Sequence, residues 1–257
     1  MFDPYRLPAS TLFGSLVRLP LRLIPRAATI RVKSGPLKGL LWRVGSSTHG
    51  CWLGTYEDAK VRVVAQSVKP RATVFDVGAN AGYYSLLFAR LVGREGRVLA
   101  VEPLPENGAN LLHHVRTNAF TNVRVIPAAV GETAGWTTFQ PAASNSMGRL
   151  GEGESTLTVA VTTLDALRSI VPEAPSVIKM DIEGGEGAAL RGAAGLLAER
   201  RSIWFISLHG DEARRSCQEV LRAAGYAIRA LEGSVIDDLT CWEGDEIVAT
   251  PAIWEGA

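Results

Sequence analysis

The sequence predicts an α/β protein on a doubly wound, mostly parallel sheet of Rossmann-like plan. Three observations carry that reading. From residue 70 onward, short β-branched runs alternate with turns and Ala/Leu-rich stretches, the rhythm of βα units. The runs are continuously apolar, as strands covered on both faces must be. A small-residue turn, Gly78 to Gly82, joins the first of them to a helical stretch.

Before that rhythm starts, residues 1–33 hold Arg6, Arg18, Arg22, Arg26, Arg31 and Lys33 against a single acid, Asp3. Leu12 to Ile24 is apolar but broken by Arg18, Pro20 and Arg22, too short and too charged to cross a bilayer. It also lacks a cleavage site after an uninterrupted apolar run. An arm docked on the domain is expected, with contact to a membrane surface or a partner as the alternative. Thr29 to Val44 reads as a hairpin turned by Ser34, Gly35 and Pro36. Residues 1–69 are therefore read as an N-terminal extension (arm, hairpin and lead-in helix) of a domain spanning 70–257.

Within that domain strands are expected at Thr73 to Val77, Arg97 to Val101, Val123 to Ile126, Val177 to Met180 and Ile203 to Leu208. Helices are expected at Gly82 to Leu91, Asn107 to Asn118, Glu186 to Glu199 and Asp211 to Ala224, the last closed by Gly225. One insertion breaks the alternation. Gly135 to Phe139 and Thr156 to Val161 look like strands joined by the Ser/Asn/Gly-rich Ala142 to Ser155, a small β-ribbon or lid.

Composition narrows the function. With 257 residues, 47% of them hydrophobic, the chain buries a large core without staples. Cys51, Cys217 and Cys241 are far apart and form no Cys-x-x-Cys pair, which suggests neither disulfides nor zinc and fits a cytoplasmic protein. A net charge of +1 offers no field for nucleic acid.

The sharpest local signal is VFDVGANAGYYS, residues 74–85. Ligands of such sheets bind at the carboxyl ends of strands, and glycines let the backbone approach them. A dinucleotide site would use G-x-G-x-x-G, but position 80 is Asn. Asp76 would also repel a pyrophosphate. S-adenosylmethionine carries an ammonium and a sulfonium instead, so an acid here is favourable. Glu102, in Ala100-Val101-Glu102-Pro103, stands where a carboxylate accepts ribose hydroxyls. A cofactor set of Asp76, Gly78, Ala79, Asn80, Gly82, Tyr83, Glu102 and Pro103 follows. VIKMDIEGGE, residues 177–186, releases Lys179, Asp181, Glu183 and Glu186 at another strand end, where Asp181 or Glu183 also reads as a helix cap. His209 ends the next strand, on the same rim.

The segments VFDVGANAGYYSLLFAR, VEPLPENGANL, NVRVIPAAVGE, VTTLDAL and IKMDIEGGEGAALRGA, in this order, resemble the FkbM family of S-adenosylmethionine-dependent methyltransferases. Gly54-Thr55-Tyr56-Glu57 resembles a segment the family carries ahead of the glycine turn, which adds Glu57 to the cofactor set. The resemblance implies a class I methyltransferase fold, O-methylation in many members, and secondary metabolites or sugars as small-molecule acceptors. Carried over, Asp76, Gly78, Asn80 and Gly82 would hold the methionine part, Glu102 the ribose, Ala129 would lie near the adenine and Asp181 beside the methyl. Where the family often has an acid two residues before the strand-end histidine, this chain has Ser207, so a mechanism using that acid does not transfer. Residues 1–49 and 140–155 carry no family signal.

An aliphatic hydroxyl acceptor gains from a general base. His209 is the first candidate and Asp181 the second, with Lys179 and Glu183 orienting base or acceptor. Mg²⁺ held by Asp181 with Glu183 or Glu186 is a less favoured variant. A silent S-adenosylmethionine binder and an NAD-dependent oxidoreductase are the alternatives.

Overall fold

The computed structural model describes residues 21, 23–141, 148–150 and 157–252. Most of the N-terminal arm, and residues 142–147 and 151–156 of the expected lid, lie outside them. The described chain begins with the expected hairpin, β1 (Thr29–Arg31) paired antiparallel with β2 (Leu41–Arg43), then α1 (His49–Leu53) and α2 (Asp58–Ser67). Next come β3 (Thr73–Val77), α3 (Tyr83–Val92), β4 (Arg97–Val101), α4 (Pro105–Thr117) and β5 (Val123–Ile126). The insertion holds β6 (Ala129–Val130), β7 (Gly135–Pro141), β8 (Gly148–Leu150) and β9 (Leu157–Thr162). Then follow α5 (Leu164–Ser169), β10 (Val177–Met180), α6 (Glu186–Arg191), α7 (Ala194–Ala198), β11 (Ile203–Ser207), α8 (Asp211–Ala223), β12 (Tyr226–Ala230) and β13 (Glu246–Pro251).

Seven strands form the main sheet in the order β12-β13-β11-β10-β3-β4-β5. From β11 to β5 all pairings are parallel, and β13 joins β11 and β12 antiparallel. The period-2 alternation of each central strand feeds two cores. Val74, Val98 and Ala100 face α3, α4 and the N-terminal extension, where Trp42, Trp52, Leu86 and Phe88 are fully buried. Phe75, Leu99 and Ile178 face the other way, against Leu190, Leu196 and Leu221 of α6, α7 and α8. The inserted ribbon forms a second sheet, order β6-β9-β7-β8.

One departure from the sequence reading has an identifiable cause. The helix expected over Glu186 to Glu199 breaks at Gly192 and Ala193. A Cβ on Gly192 would sit 2.2 Å from the Gly131 carbonyl, so two backbones touch there. The second piece is capped from outside, Asp165 accepting from Gly195 N at 2.9 Å and Leu196 N at 2.8 Å. Strands β12 and β13 have no counterpart in the sequence reading, although both alternate buried and half-buried residues.

The hairpin docks through His114. This side chain of α4 is fully buried and stacked on Trp42 with ring centroids 4.0 Å apart. Its Nε2 accepts from Arg43 N at 2.9 Å, which makes Nδ1 the donor to the Ala81 carbonyl at 2.7 Å. Only the neutral ring satisfies both partners, and burial first of all pushes its pKa down to about 4. An unfolded histidine takes its proton near 6.5. Between those values the unfolded chain binds more protons, so stability rises with pH there and falls as pH drops from 6.5 toward 4. The full window is worth about 3 kcal/mol. Urea unfolding at pH 7 and 5 should show His114→Gln losing this acid sensitivity, and equal slopes for both proteins would refute it.

Candidate active site

The turn after β3 is held open by backbone conformations that favour glycine and asparagine. Gly78, Asn80 and Gly82 have φ of 76°, 49° and 95°. Gly78 N and Ala79 N both donate to the Val101 carbonyl at 3.0 Å, tying the turn to β4. A Cβ on Gly78 would sit 1.9 Å from the Asp181 carbonyl, so the turn packs directly on the end of β10. Asn80 closes the turn with its own side chain, Oδ1 accepting from Ala81 N at 2.6 Å.

Glu102 is buried at the end of β4 and meshed with that turn. Its Oε2 accepts from Asn80 N at 2.8 Å, its Oε1 from Leu104 N at 2.9 Å and Asn107 Nδ2 at 3.3 Å. Burial pushes its pKa up, against those three donors. Asn107 belongs to the VEPLPENGANL segment of the family resemblance, but it is not among the expected site residues; it stands five residues beyond Glu102 in the first turns of α4.

Two residues expected to face a ligand do not. Asp76 shares the α3-facing side of β3 with Val74 and is completely buried. Its Oδ2 accepts from Ser85 Oγ at 2.5 Å, and its Oδ1 lies 3.9 Å from Lys179 Nζ. Burial raises its pKa more than Lys179 and Ser85 lower it. Gly82 makes room for a neighbouring helix, since a Cβ there would lie 2.3 Å from Leu111 Cδ1 of α4.

At the ends of β10 and β11 the charged residues come together. Lys179 Nζ is 3.4 Å from Asp181 Oδ2 and 5.1 Å from the centroid of the Tyr84 ring. Burial alone would lower the lysine's pKa, but Asp181 and Asp76 raise it. Burial would likewise raise Asp181, yet Lys179, Lys60 and His209 hold its carboxyl below the usual aspartate value. His209 Nδ1 lies 2.8 Å from Oε1 of the fully buried Glu186, and its Nε2 lies 3.6 Å from both Asp181 Oδ1 and Glu183 Oε2. The hydrogen bond to Glu186, above all, pushes the histidine's pKa up. Glu186 Oε1 also accepts from Gly184 N at 3.1 Å, so it fixes both the ring and the loop beneath it.

A cavity of about 340 Å³ joins the two ends. Gly78, Ala79, Asn80, Tyr83, Glu102 and Pro103 line it, as does Ala129. Glu57, Lys179, Asp181, Glu183 and His209 line it as well. Glu57 Oε2 accepts from Tyr84 OH at 2.7 Å. Asp76, Gly82 and Glu186 support this wall without lining it. Asp181, Glu183 and His209 offer ligand atoms within 4.8 Å of one another, whereas Glu186, the alternative carboxylate for a cation, is engaged with His209.

Two curated relatives are similar to part of the chain. Protein-L-isoaspartate O-methyltransferase 1 of Arabidopsis thaliana is 33% identical over 85 residues, 32% of this chain and 37% of the relative. Protein-L-isoaspartate O-methyltransferase of Methanococcus aeolicus is 27% identical over 78 residues, 30% of this chain and 36% of the relative. The chain thus spans little more than a third of their lengths. Among solved structures, methyltransferase FkbM from Methylobacillus flagellatus has a TM-score of 0.48 at 19% identity, covering 79% of this chain and 55% of that one. An S-adenosylmethionine-dependent O-methyltransferase from Thermotoga maritima has 0.49 at 12% identity, covering 90% and 80%. Residues 76–228 match the model of the methyltransferase FkbM domain, a span that runs from the strand under the glycine turn past the histidine rim. The chain belongs to the FkbM methyltransferase family, and its methyl donor is S-adenosylmethionine.

Proposed function

We propose that the protein methylates a hydroxyl group of a small molecule, with His209 as the base that takes the hydroxyl proton. The observation carrying this reading is the histidine's setting: Nδ1 is held by Glu186, and Nε2 faces Asp181 beside the cavity. The raised pKa of His209 and the lowered pKa of Asp181 favour the imidazole as base. The proton lost by the hydroxyl goes to Nε2, where Asp181 and Glu183 face the resulting imidazolium.

The cavity's residues suit the donor. Its two positive centres meet a cavity lined by acids, Glu102 and Glu57 among them. When bound, S-adenosylmethionine supplies a methyl already activated on a sulfonium. The remaining task is to hold the hydroxyl in line with it and keep water out, worth on the order of 7 kcal/mol in ideal cases. Lys179 serves orientation here by holding the Asp181 carboxylate. A protein L-isoaspartate acceptor, as in the names of the two partial relatives, would bring a further carboxylate into a cavity that is already acidic, which counts against that reading.

Calorimetry on the purified chain should show binding of S-adenosylmethionine and S-adenosylhomocysteine. Glu102→Ala should weaken it by about tenfold or more, for loss of charge-assisted hydrogen bonds. Asp76→Ala should abolish it by removing the acceptor of Ser85 Oγ and one of the two carboxylates around Lys179 behind the turn. Binding of NADH and of neither adenosyl compound would overturn the donor assignment. Donor binding without turnover on any hydroxyl compound would favour a silent binder.

A further inference from the structure

The N-terminal extension is charged unlike the rest of the chain. Eight of the 27 basic residues but one of the 26 acids fall within residues 1–56, so this stretch is net +7 in a chain of net +1. Elsewhere the exposed cations have partners: Arg62, Arg71, Arg168, Arg191 and Arg215 each pair with a carboxylate.

The hairpin loop gathers cations instead. Gly39 N donates to the Val32 carbonyl at 2.9 Å, and Lys33 and Lys38 begin and end the loop that this bond closes. Arg31 Nη1 donates to the Gly39 carbonyl at 2.9 Å, and Arg90 of α3 donates to the carbonyls of Pro36 at 2.6 Å and Lys38 at 3.2 Å. Two guanidinium groups thus sit on a loop that already carries two lysines. All four side chains are exposed, and none forms an ion pair among the described residues.

An apolar side chain stands out in the same extension. Leu23 is 85% exposed, the largest exposure of any large apolar side chain among the described residues. Leu21, two residues earlier, is buried in the core that also holds Val32 and Leu37 of the hairpin loop, which anchors this segment on the domain. Around it Arg18, Arg22 and Arg26 are interspersed with Leu19, Leu21 and Leu23.

Cations beside an exposed leucine suit a partner that offers negative charge with an apolar layer close beneath it. An anionic lipid surface has both, since its headgroups lie directly over acyl chains. A nucleic acid would use the charge and leave Leu23 in water. We infer that the extension docks the protein on the surface of an anionic bilayer, with Arg31, Lys33, Lys38 and Arg90 meeting the headgroups and Leu23 entering the boundary with the acyl chains. The remainder of the chain is net acidic, so the field that attracts the extension turns the rest of the domain away. Docking of this kind is independent of which acceptor is methylated.

Flotation of the full chain with vesicles of mixed phosphatidylcholine and phosphatidylserine should carry the protein with the lipid, and vesicles of phosphatidylcholine alone should not. At about 1 M salt, where the screening length falls to about 3 Å, binding to the anionic vesicles should be lost. Lys33→Gln combined with Lys38→Gln should weaken it by about 25-fold, roughly fivefold for each cation, and the double Arg variant should bind as the unaltered protein does. Leu23→Ser should weaken it by about tenfold. The three side chains are exposed, so the urea unfolding midpoint should not move and lost binding cannot be lost folding. Equal recovery with neutral and anionic vesicles, recovery with neither, or undiminished binding in the Gln or Ser variants overturns the inference. Tighter binding of polyuridylate than of the anionic vesicles also overturns it, and would assign the patch to nucleic acid.

Discussion

His209→Ala is expected to lower turnover by about 10²- to 10⁴-fold while donor affinity stays near that of the unaltered protein. The size follows from the proposed role: a base that takes the hydroxyl proton acts in the transition state and contributes little to ground-state binding. The Nδ1 contact with Glu186 leaves Nε2 as the only ring nitrogen free to accept. Because that contact raises the histidine's pKa, the ring must lose its proton above 6.5 before it can act. Turnover should therefore climb with pH through a limb lying above 6.5. Glu186→Gln, which keeps the shape and removes the charge, should move that limb toward acid. Near-normal turnover in His209→Ala would transfer the base role to Asp181 or show that positioning alone suffices. An unmoved limb in Glu186→Gln would sever the link between that carboxylate and the base.

Gly78→Ala should remove donor binding and destabilise the fold, by on the order of 3 kcal/mol. Two costs combine at this position. The residue sits at φ 76°, where an L side chain is strained, and the new Cβ would lie 1.9 Å from the Asp181 carbonyl. That oxygen belongs to backbone at the end of β10 and cannot swing away as a side chain would. Either the turn moves, losing its hydrogen bonds to Val101, or the β3 and β10 ends part. Gly39→Ala provides the control, because Gly39 has φ 86° with nothing within 4 Å of its Cβ position. It should cost only the strain, about 1 kcal/mol. Urea unfolding and donor calorimetry on both variants separate the effects. Gly78→Ala behaving like Gly39→Ala would mean that the close approach carries no weight.

The central strands and the rim were legible because local chemistry dictates them. Val74-Phe75-Asp76-Val77 is apolar enough to be covered on both faces, and the carboxyl ends of parallel strands converge on one edge by topology. Asp181 and His209 therefore fall on a common rim whatever the details of packing. The same local logic misplaces Asp76. Its spacing before the glycine turn is right, but the period of the strand sends its carboxylate beneath α3 to Ser85, one layer behind the cavity.

What only the tertiary structure decided is contact between residues distant in sequence. Glu246 follows no motif and reaches the cavity because β13 returns antiparallel beside β11 and meets Ser207 in register. Lys60 enters from the extension, where only the segment ending in Glu57 gives a sign of the cavity, through its family resemblance, and the Arg43 and Trp42 contacts of His114 set where the extension docks. By itself the sequence determined the sheet, the glycine turn and the strand-end groups, since each follows from neighbours within a few residues. The far wall of the cavity was left to packing, because cross-strand register and the docking of an extension depend on side chains separated by up to 186 positions along the chain.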